Sequence, residues 1–314
     1  MHLERYQEAV YELERAFRIQ PKYRTSPRYV EALGWCYSGL GQFESALGAY
    51  RSAEQLSPSN PEIVLRVGRT LFKLERFQES EVLFRRAVSL DPGNADARYD
   101  LALTLYQLKR FEESISILES EAERCPERAE VQIALAINFK DAGRAADAVT
   151  ALQEALRMEP DNSEPYLQLA VLYAENKQWQ ESLTASQRLV ELRPKDEVGY
   201  LAMSGVYHEL KQYPEEIETC NQALRVNPHS LPALEGLANA YAETARYEEA
   251  ATALRHAIKI SPDTPRLRAW LAQCCVELGD LQAAKEEQRA LQKLDSGLAA
   301  DVEKLIANRT EHAE

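Results

Sequence analysis

Residues 27–60 read PRYVEALGWCYSGLGQFESALGAYRSAEQLSPSN, and the features of this stretch recur along most of the chain. The clearest feature is a proline near its end, which returns every 34 residues after a first interval of 37. The prolines in this series are Pro21, Pro58, Pro92, Pro126, Pro160, Pro194, Pro228 and Pro262. A fixed period of this length predicts one supersecondary motif copied in tandem, with each copy burying its apolar face only against its neighbours.

Placing the proline at position 32 of a repeat gives eight full repeats. They span 27–60, 61–94, 95–128, 129–162, 163–196, 197–230, 231–264 and 265–298. Position 8 is Gly, Ala or Ser in every repeat, and position 20 is Ala or Ser in every repeat except one, where it is Glu216. Small residues at two fixed places predict two helices that pack closely there.

Apolar positions within each repeat are three or four residues apart, which is the helical period. A short break follows near positions 15 and 16, and three of the repeats place Gly41, Gly143 or Gly279 there. Glycine suits the end of a helix because it adopts positive φ without a steric penalty. The proline at position 32 ends the second helix, since it cannot donate a backbone hydrogen bond. Each repeat is therefore predicted to be helix A, a tight turn, helix B and a loop.

These columns resemble the tetratricopeptide repeat family over about residues 1–298. The residues that carry the resemblance in the first full repeat are Leu33, Gly34, Trp35, Cys36, Tyr37, Ala46, Tyr50, Ala53 and Pro58. The resemblance implies an all-α fold, a right-handed α-solenoid (superhelix) of tandem helix-turn-helix repeats. It also implies a concave face lined mainly by A helices and a role in protein–protein binding.

The two ends differ from the eight repeats at 27–298. Residues 1–26 are predicted to form a half repeat, with an unpaired helix B at 2–19 and a loop. Three interpretations of that helix stay open: a cut from a longer array, a natural edge, or self-association of the protein through residues 2–19. Residues 299–314 are predicted to form a capping helix and a tail. The apolar stripe of this cap is Leu298, Val302, Leu305 and Ile306.

The chain is acidic, with a net charge of −13 from 37 basic and 50 acidic residues. This balance argues against nucleic acid and against an anionic membrane surface as partners. No apolar run of about 18 residues is present, which predicts no membrane insertion. The five cysteines are odd in number and scattered. Such usage is typical of reduced thiols in a cytoplasmic protein.

The sequence contains no catalytic constellation. It has no nucleophile elbow, zinc-protease helix motif, phosphate-binding glycine loop or dinucleotide fingerprint, so no catalytic residue, cofactor or metal is predicted. The histidines are isolated and predicted to face solvent, and they are His2, His208, His229, His256 and His312. Cys274 and Cys275 lie where a repeat holds small and apolar residues, and core packing is predicted for both.

In the family that this chain resembles, the concave groove is lined mainly by positions 2, 5, 9 and 12 of helix A. Members that hold a C-terminal carboxylate carry Lys, Asn and Arg at positions 5 and 9 of successive repeats, and other members carry a ladder of asparagines. Arg69 and Asn239 match these patterns singly, and no successive repeats match together. Neither a carboxylate clamp nor an asparagine ladder is therefore predicted.

The middle of the predicted groove is apolar instead. The apolar residues at positions 5 and 9 there are Leu65, Tyr99, Leu103, Ile133, Ile137, Leu167, Val171 and Leu201. The other predicted groove residues are the flanking Arg69, Lys140 and His208, the candidate aromatic anchors Trp35 and Phe72, and Tyr106 at position 12. Position 9 is usually polar in the family, so we interpret this stripe as a binding surface. Tight packing between repeats is the alternative.

The sequence thus predicts a non-catalytic, cytoplasmic scaffold or adaptor that binds a peptide or helix of a protein partner in an apolar groove. The alternative is the substrate-recruiting or regulatory array of a larger enzyme such as a glycosyltransferase. Repeat 197–230 departs most from the pattern, with Gly205 at position 9, Pro214 at the start of helix B and Glu216 at the close-contact position. Glu216 is predicted to splay the two helices and to make this repeat the softest part of the chain.

Overall fold

The computed structural model describes residues 2–311, with side chains for residues 3–310. This part of the chain forms eighteen α-helices and one 3₁₀ helix, Pro21–Thr25, and contains no β-strand. The α-helices are α1 (His2–Ile19), α2 (Pro27–Gly39), α3 (Phe43–Leu56), α4 (Pro61–Lys73), α5 (Phe77–Leu90), α6 (Ala95–Gln107), α7 (Phe111–Arg124), α8 (Ala129–Asp141), α9 (Ala145–Met158), α10 (Ser163–Glu175), α11 (Trp179–Leu192), α12 (Val198–Glu209), α13 (Tyr213–Val226), α14 (Leu231–Glu243), α15 (Tyr247–Ile260), α16 (Pro265–Glu277), α17 (Leu281–Leu294) and α18 (Ser296–Glu311). The predicted all-α array of helix pairs is confirmed.

The helices fall into two compact units, residues 1–160 and residues 161–314. Unit 1 contains α1 to α9, and unit 2 contains α10 to α18. Within each unit, every helix packs against the next helix along the chain. The A helices are α2, α4, α6 and α8 in unit 1 and α10, α12, α14 and α16 in unit 2, and the B helix of each repeat follows its A helix.

Helices A and B of one repeat approach closely at position 8. A Cβ atom built on Gly68 would lie 2.8 Å from a ring carbon of Phe84, closer than two carbon atoms can pack. The next repeat holds Ala102 and Leu118 at the same two positions, and both are fully buried. Position 8 is therefore glycine where helix B carries an aromatic ring, and alanine where helix B carries the thinner leucine.

Position 20 also contributes to this contact when it is serine. The Ser80 hydroxyl donates to the Gly68 carbonyl at 2.9 Å, and the Ser114 hydroxyl donates to the Ala102 carbonyl at 2.8 Å. Ser182 in unit 2 makes the equivalent bond at 2.7 Å. Each bond ties helix B to the backbone of helix A across a buried interface, where an unpaired hydroxyl would be costly.

The turn between helices A and B places one residue at positive φ. Three repeats use Gly41, Gly143 and Gly279 with φ from 72° to 78°, as the sequence predicts. The other five repeats use Glu75, Lys109, Lys177, Lys211 and Ala245 with φ from 57° to 59°. The turn geometry is thus the same in every repeat, and a non-glycine residue adopts it at some steric cost.

Polar residues at position 34 begin several A helices. The Asn60 side-chain oxygen accepts from the backbone N–H of Glu62 at 3.0 Å, and the Asn94 side chain accepts from Ala97 at 2.9 Å. Such caps satisfy N–H groups that have no partner inside the helix. Helix α12 begins one repeat position later than the other A helices, after Glu197, whose side chain makes no capping hydrogen bond.

The last helix, α18, covers the end of unit 2. It begins at Ser296, earlier than the predicted 299, and packs against α16 and α17. Ala299, Val302 and Ile306 are buried, and Leu298 and Leu305 pack beside them. The predicted apolar stripe therefore faces the core, as a capping helix requires.

Candidate binding face of the A helices

The predicted groove residues divide between the two units. Those from Trp35 to Lys140 lie on the A helices of unit 1, and Leu167, Val171, Leu201 and His208 lie on those of unit 2. All of them except Leu65 keep a side chain that is at least partly exposed. We call the exposed side of α2, α4, α6 and α8 the A-helix face of unit 1. The continuity of the stripe from unit 1 into unit 2 stays a prediction.

Leu65 is not part of the exposed surface. Its side chain is only 2% exposed and belongs to a core cluster with Val64, Phe84 and Leu101. The leucine is short enough to be enclosed among these neighbours, whereas Tyr99 at the same position of the next repeat remains partly exposed. The prediction that Leu65 contributes to the groove is therefore wrong, and the alternative of packing between repeats holds at this position.

The first pocket of the A-helix face lies between α2 and α4 and has a volume of about 400 Å³. Trp35 and Phe43 are among its apolar lining residues. Trp35 is 52% exposed, and its ring makes a T-shaped contact with Tyr6 of α1, at 5.0 Å between centroids. The contact supports one side of the indole and leaves half of it open to solvent.

The second pocket lies between α4 and α6 and has a volume of about 420 Å³. Its apolar lining includes Phe72, Tyr99 and Leu103. Phe72 packs edge-on against Phe77, with 5.2 Å between ring centroids, and the Arg128 guanidinium lies 5.5 Å from the centre of the Tyr99 ring. These contacts fix the aromatic walls of the pocket.

Arg69 and Lys73 line both pockets. The Arg69 guanidinium donates to Asp100 and also lies 3.4 Å from a carboxylate oxygen of Asp96. Burial raises the pKa of Asp100, and the hydrogen bond from Arg69 opposes that rise. Lys73 is exposed and has no ion-pair partner among the residues that the structure describes. The two pockets therefore share two cationic side chains: Arg69, whose charge is neutralised by aspartates, and Lys73, which is free to bind a carboxylate.

Further along the face, the Tyr106 hydroxyl donates to a carboxylate oxygen of Asp141 at 2.6 Å. This hydrogen bond raises the pKa of Tyr106 to about 12. Lys140 lies 3.9 Å from the same carboxylate group, so its charge is partly matched within the protein. The partly exposed Ile133 and Ile137 of α8 continue the apolar surface beyond Leu103.

In unit 2, His208 does not face solvent as an isolated side chain, which corrects the prediction. Its Nδ1 lies 3.2 Å from Oε2 of Glu216, and its Nε2 lies 3.4 Å from Nδ2 of Asn239. Glu216 is buried at 2% exposure, and α12 and α13 pack against each other. The splaying of these two helices by Glu216 stays a prediction. Gly236 of α14 lies beside this site, and a Cβ atom there would be 2.8 Å from the Cys220 sulfur, so the glycine gives room to Cys220 of α13.

A signal for this His208–Glu216 pair is present in the sequence. Glu216 stands at position 20, where every other repeat has Ala or Ser. A buried carboxylate at such a place needs a partner. Position 12 of the same repeat faces that place, and it holds His208. His229 and His256 are exposed, as predicted, whereas His2 and His312 lie outside the described side chains.

Cys274 and Cys275 pack in the core of unit 2, as predicted, and each is 1% exposed. Within residues 2–311, no group of three or more His, Cys, Asp or Glu side chains is arranged to hold a metal ion. None of the described helices combines the length and the apolar character needed to cross a membrane.

Family models of the tetratricopeptide repeat match residues 27–60, 71–136, 140–205 and 245–308, together more than half of the chain. No curated protein sequence matches it. The C-terminal part of a TPR repeat-containing protein from Cytophaga hutchinsonii superposes with a TM-score of 0.64 at 14% identity, over 78% of this chain and 99% of that one.

Two further solved structures share the fold. A tetratricopeptide repeat protein from Parabacteroides merdae has a TM-score of 0.59 at 14% identity, over 78% of this chain and 97% of that one. Pseudomonas aeruginosa pilF has a TM-score of 0.56 at 19% identity, over 70% of this chain and 98% of that one. The repeat columns, the paired helices and the matched family models lead to one conclusion: the chain belongs to the tetratricopeptide repeat family.

Proposed function

We propose that this protein is a non-catalytic adaptor that binds a peptide or helix of a protein partner on the A-helix face of unit 1. Tetratricopeptide repeats are generally modules for protein–protein interaction. The observation that carries the proposal is a pair of adjacent pockets, of about 400 and 420 Å³, that share Arg69 and Lys73. Pockets of this size with apolar walls and a few polar groups are typical of binding sites.

The chemistry of the pockets defines the partner segment. Trp35 and Phe43 line one pocket, and Phe72 and Leu103 line the other, so each accepts a large apolar side chain. Lys73 lies at both pockets without an internal ion pair among the described residues. A free ammonium group there favours a carboxylate between the two apolar groups. The partner segment therefore carries an acidic residue flanked on both sides by large apolar residues.

The rest of the A-helix face supports a longer contact. Leu103, Ile133 and Ile137 are partly exposed on α6 and α8 and extend the apolar surface beyond the second pocket. Burial of such apolar side chains by a partner is favourable, because it removes apolar surface from water. A peptide that fills both pockets would cover this extension when it continues as an amphipathic helix.

We place this function in the cytoplasm. All five cysteines are free, and four of them, Cys36, Cys220, Cys274 and Cys275, are buried. Free thiols persist in a reducing compartment, which supports the assignment.

The proposal is tested by selecting a displayed random peptide library against the whole protein. We expect enriched peptides to carry an acidic residue between two large apolar residues. Selection against the Lys73→Glu variant should instead enrich a basic residue at that place, because the free cation of the shared site becomes an anion.

A second arm measures the affinity of one selected peptide for the Leu103→Asp/Ile137→Asp double variant, with circular dichroism to check that helicity is retained. We expect binding to be abolished. The control is Val82→Asp on helix α5, because Val82 is 64% exposed and lies outside both pockets. Unchanged affinity of the double variant would refute the assignment of this face.

A further inference from the structure

The start of the array contains a pocket that the A-helix face does not include. It lies between α1, the 3₁₀ helix, α2 and α3 and has a volume of about 660 Å³. The first proline interval is 37 residues rather than 34, and the 3₁₀ helix Pro21–Thr25 occupies this longer connection. The pocket shares no lining residue with the two pockets of the A-helix face.

Helix α3 carries small residues where it faces this pocket. Its lining residues at positions 19, 22 and 26 are Ser45, Gly48 and Ser52. The next repeat has Glu79, Val82 and Arg86 at these positions. A Cβ atom on Gly48 would meet no atom within 4 Å, so the glycine is not required by packing. All three positions are smaller than their equivalents in the next repeat, and the space this leaves is the pocket.

Two successive pairs of B helices in unit 1, α3 with α5 and α5 with α7, are each joined by an ion pair across the corresponding gap. Arg51 of α3 lies 3.2 Å from Glu79 of α5, and Arg85 of α5 lies 3.3 Å from Glu113 of α7. Among the described residues, no such pair links α1 to α3. Both partners of the ion pair differ here: Ser45 of α3 stands where Glu79 and Glu113 stand, and Glu14 of α1 stands where Arg51 and Arg85 stand. The gap between α1 and α3 therefore has no ion pair of this kind to close it.

The floor of the pocket is apolar and its rim is cationic. Phe17, Val30 and Ala49 line it and are buried at 5% to 8% exposure. Arg18 and Arg24 also line it, and neither forms an ion pair with a described residue. The Arg24 guanidinium lies 5.8 Å from the centre of the Phe17 ring, which holds it above the apolar floor.

One acidic residue, Glu14, also lines the pocket. Its Oε1 already accepts a hydrogen bond of 2.6 Å from the Tyr37 hydroxyl, and this bond raises the pKa of Tyr37 to about 12. The two arginines therefore outnumber the single carboxylate, and that carboxylate is engaged with an internal donor. The rim therefore carries an excess of positive charge that a bound anion would neutralise.

We propose that this pocket binds a carboxylate attached to a compact apolar body. The apolar part rests on the buried floor, and the carboxylate accepts hydrogen bonds from Arg18 and Arg24, the geometry for which guanidinium groups are suited. A medium-chain fatty acid and the C-terminal residue of a peptide that ends in leucine share this chemistry.

The test follows backbone amide shifts of the whole protein during titration with octanoate and with N-acetyl-leucyl-leucine. We expect saturable shifts at Ser45 to Ser52 with at least one of the two carboxylates. Octanol, octylamine and the C-terminal amide of the peptide should bind at least tenfold more weakly, since none offers the carboxylate. Binding of octanoate would indicate a fatty acid as the ligand, and binding of N-acetyl-leucyl-leucine would indicate a peptide C-terminus. If neither carboxylate binds, the proposal is overturned.

Two variants localise the site. Gly48→Val introduces the residue type of Val82 at a place where a Cβ atom meets no atom within 4 Å. It narrows the pocket and should weaken carboxylate binding at least tenfold while the protein remains folded. Thr150→Val, at the same repeat position of α9, is the matched control and should bind as the wild type does. Arg18→Gln/Arg24→Gln should weaken the carboxylate and leave octanol unaffected. Wild-type binding by Gly48→Val would place the ligand elsewhere and overturn the assignment.

Discussion

Two buried glutamates, one in each unit, stand at positions where most repeats have a small residue. Glu121 of α7 is 0% exposed and occupies position 27, which is alanine in five repeats. Glu216 of α13 is 2% exposed and occupies position 20, which is alanine or serine elsewhere. Both replace a small contact with a charged one, but the partners that the two units provide differ.

Glu121 is surrounded by arginine. Arg98 Nε donates to its Oε2 at 2.6 Å, and Arg128 lies 3.7 Å from its Oε1. The Arg98 guanidinium also donates to the carbonyl of Pro92, so it joins the helix to the loop before α6. Because a guanidinium does not lose its proton in proteins, Arg98 and Arg128 stay charged at any pH at which the protein is folded.

Glu216 is paired with a histidine instead. Burial raises the pKa of Glu216, the hydrogen-bonded His208 opposes that rise, and Glu243 of α14 adds to it. Both partners of this pair can change protonation, which the partners of Glu121 cannot. A buried carboxylate in this fold can therefore form an ion pair with arginine or a contact that depends on pH. Its partner on the neighbouring helix, arginine or histidine, decides which of the two it forms.

The largest expected effect is that of Glu121→Ala. Arg98 has a side chain that is only 12% exposed, so removal of Glu121 leaves a nearly buried guanidinium without its main partner. We expect the free energy of unfolding, measured by urea denaturation, to fall by about 3–5 kcal/mol. The Glu121→Ala/Arg98→Met variant should recover most of the loss, and a loss that persists in it would show that Arg98 is not the cause.

The matching change in unit 2, Glu216→Ala, should have a smaller effect. Alanine is the residue at this position in four other repeats, where it is Ala46, Ala148, Ala250 and Ala284. His208 is 35% exposed and can be solvated when its partner is removed. We expect the free energy of unfolding at pH 7 to change by less than about 1 kcal/mol. A loss as large as that of Glu121→Ala would contradict the comparison, because leaving the histidine without its carboxylate would then cost as much stability as leaving the arginine without its own.

A pH series tests the titratable character of the Glu216 site. The pKa of Glu216 in the folded protein lies above its ordinary value of 4.5, so the folded state binds the proton more tightly than the unfolded state. The stabilisation from this proton is complete below about pH 4.5 and is lost as the pH rises through the folded pKa. The wild type should therefore lose stability relative to Glu216→Gln as the pH increases through this window.

The control for that series is Glu218→Gln, two residues along α13. It removes the same charge from a side chain whose carboxylate accepts from Gln222 rather than from His208. Its stability difference from the wild type should vary less with pH than that of Glu216→Gln. Equal slopes for the two variants would show that net charge, and not the buried pair, governs the pH dependence.

The repeat pattern was sufficient for the helices, because proline and small residues at fixed spacing specify where each helix ends and where two helices meet. It was insufficient for contacts that depend on side-chain reach. Leu65 and Tyr99 share position 5, yet only the shorter one is enclosed. The sequence alone indicates an isolated His208, because its partner Glu216 is on another helix and Asn239 is in another repeat.

The smallest expected effect is that of a turn substitution, which compares how strongly a local change alters stability in the two units. Lys109 and Lys211 have φ of 59° and 57° in the turns of the repeats that contain Glu121 and Glu216. Glycine removes the steric cost of this conformation, and its greater freedom in the unfolded chain offsets part of the gain. We expect Lys109→Gly and Lys211→Gly each to raise the free energy of unfolding by about 0.5–1 kcal/mol, measured by urea denaturation. Equal gains would mean that a local change in either repeat alters the free energy of unfolding to the same extent. The different losses expected for Glu121→Ala and Glu216→Ala would then arise from the partners of the two glutamates. A gain in only one repeat would instead trace that difference to the unit in which each glutamate lies.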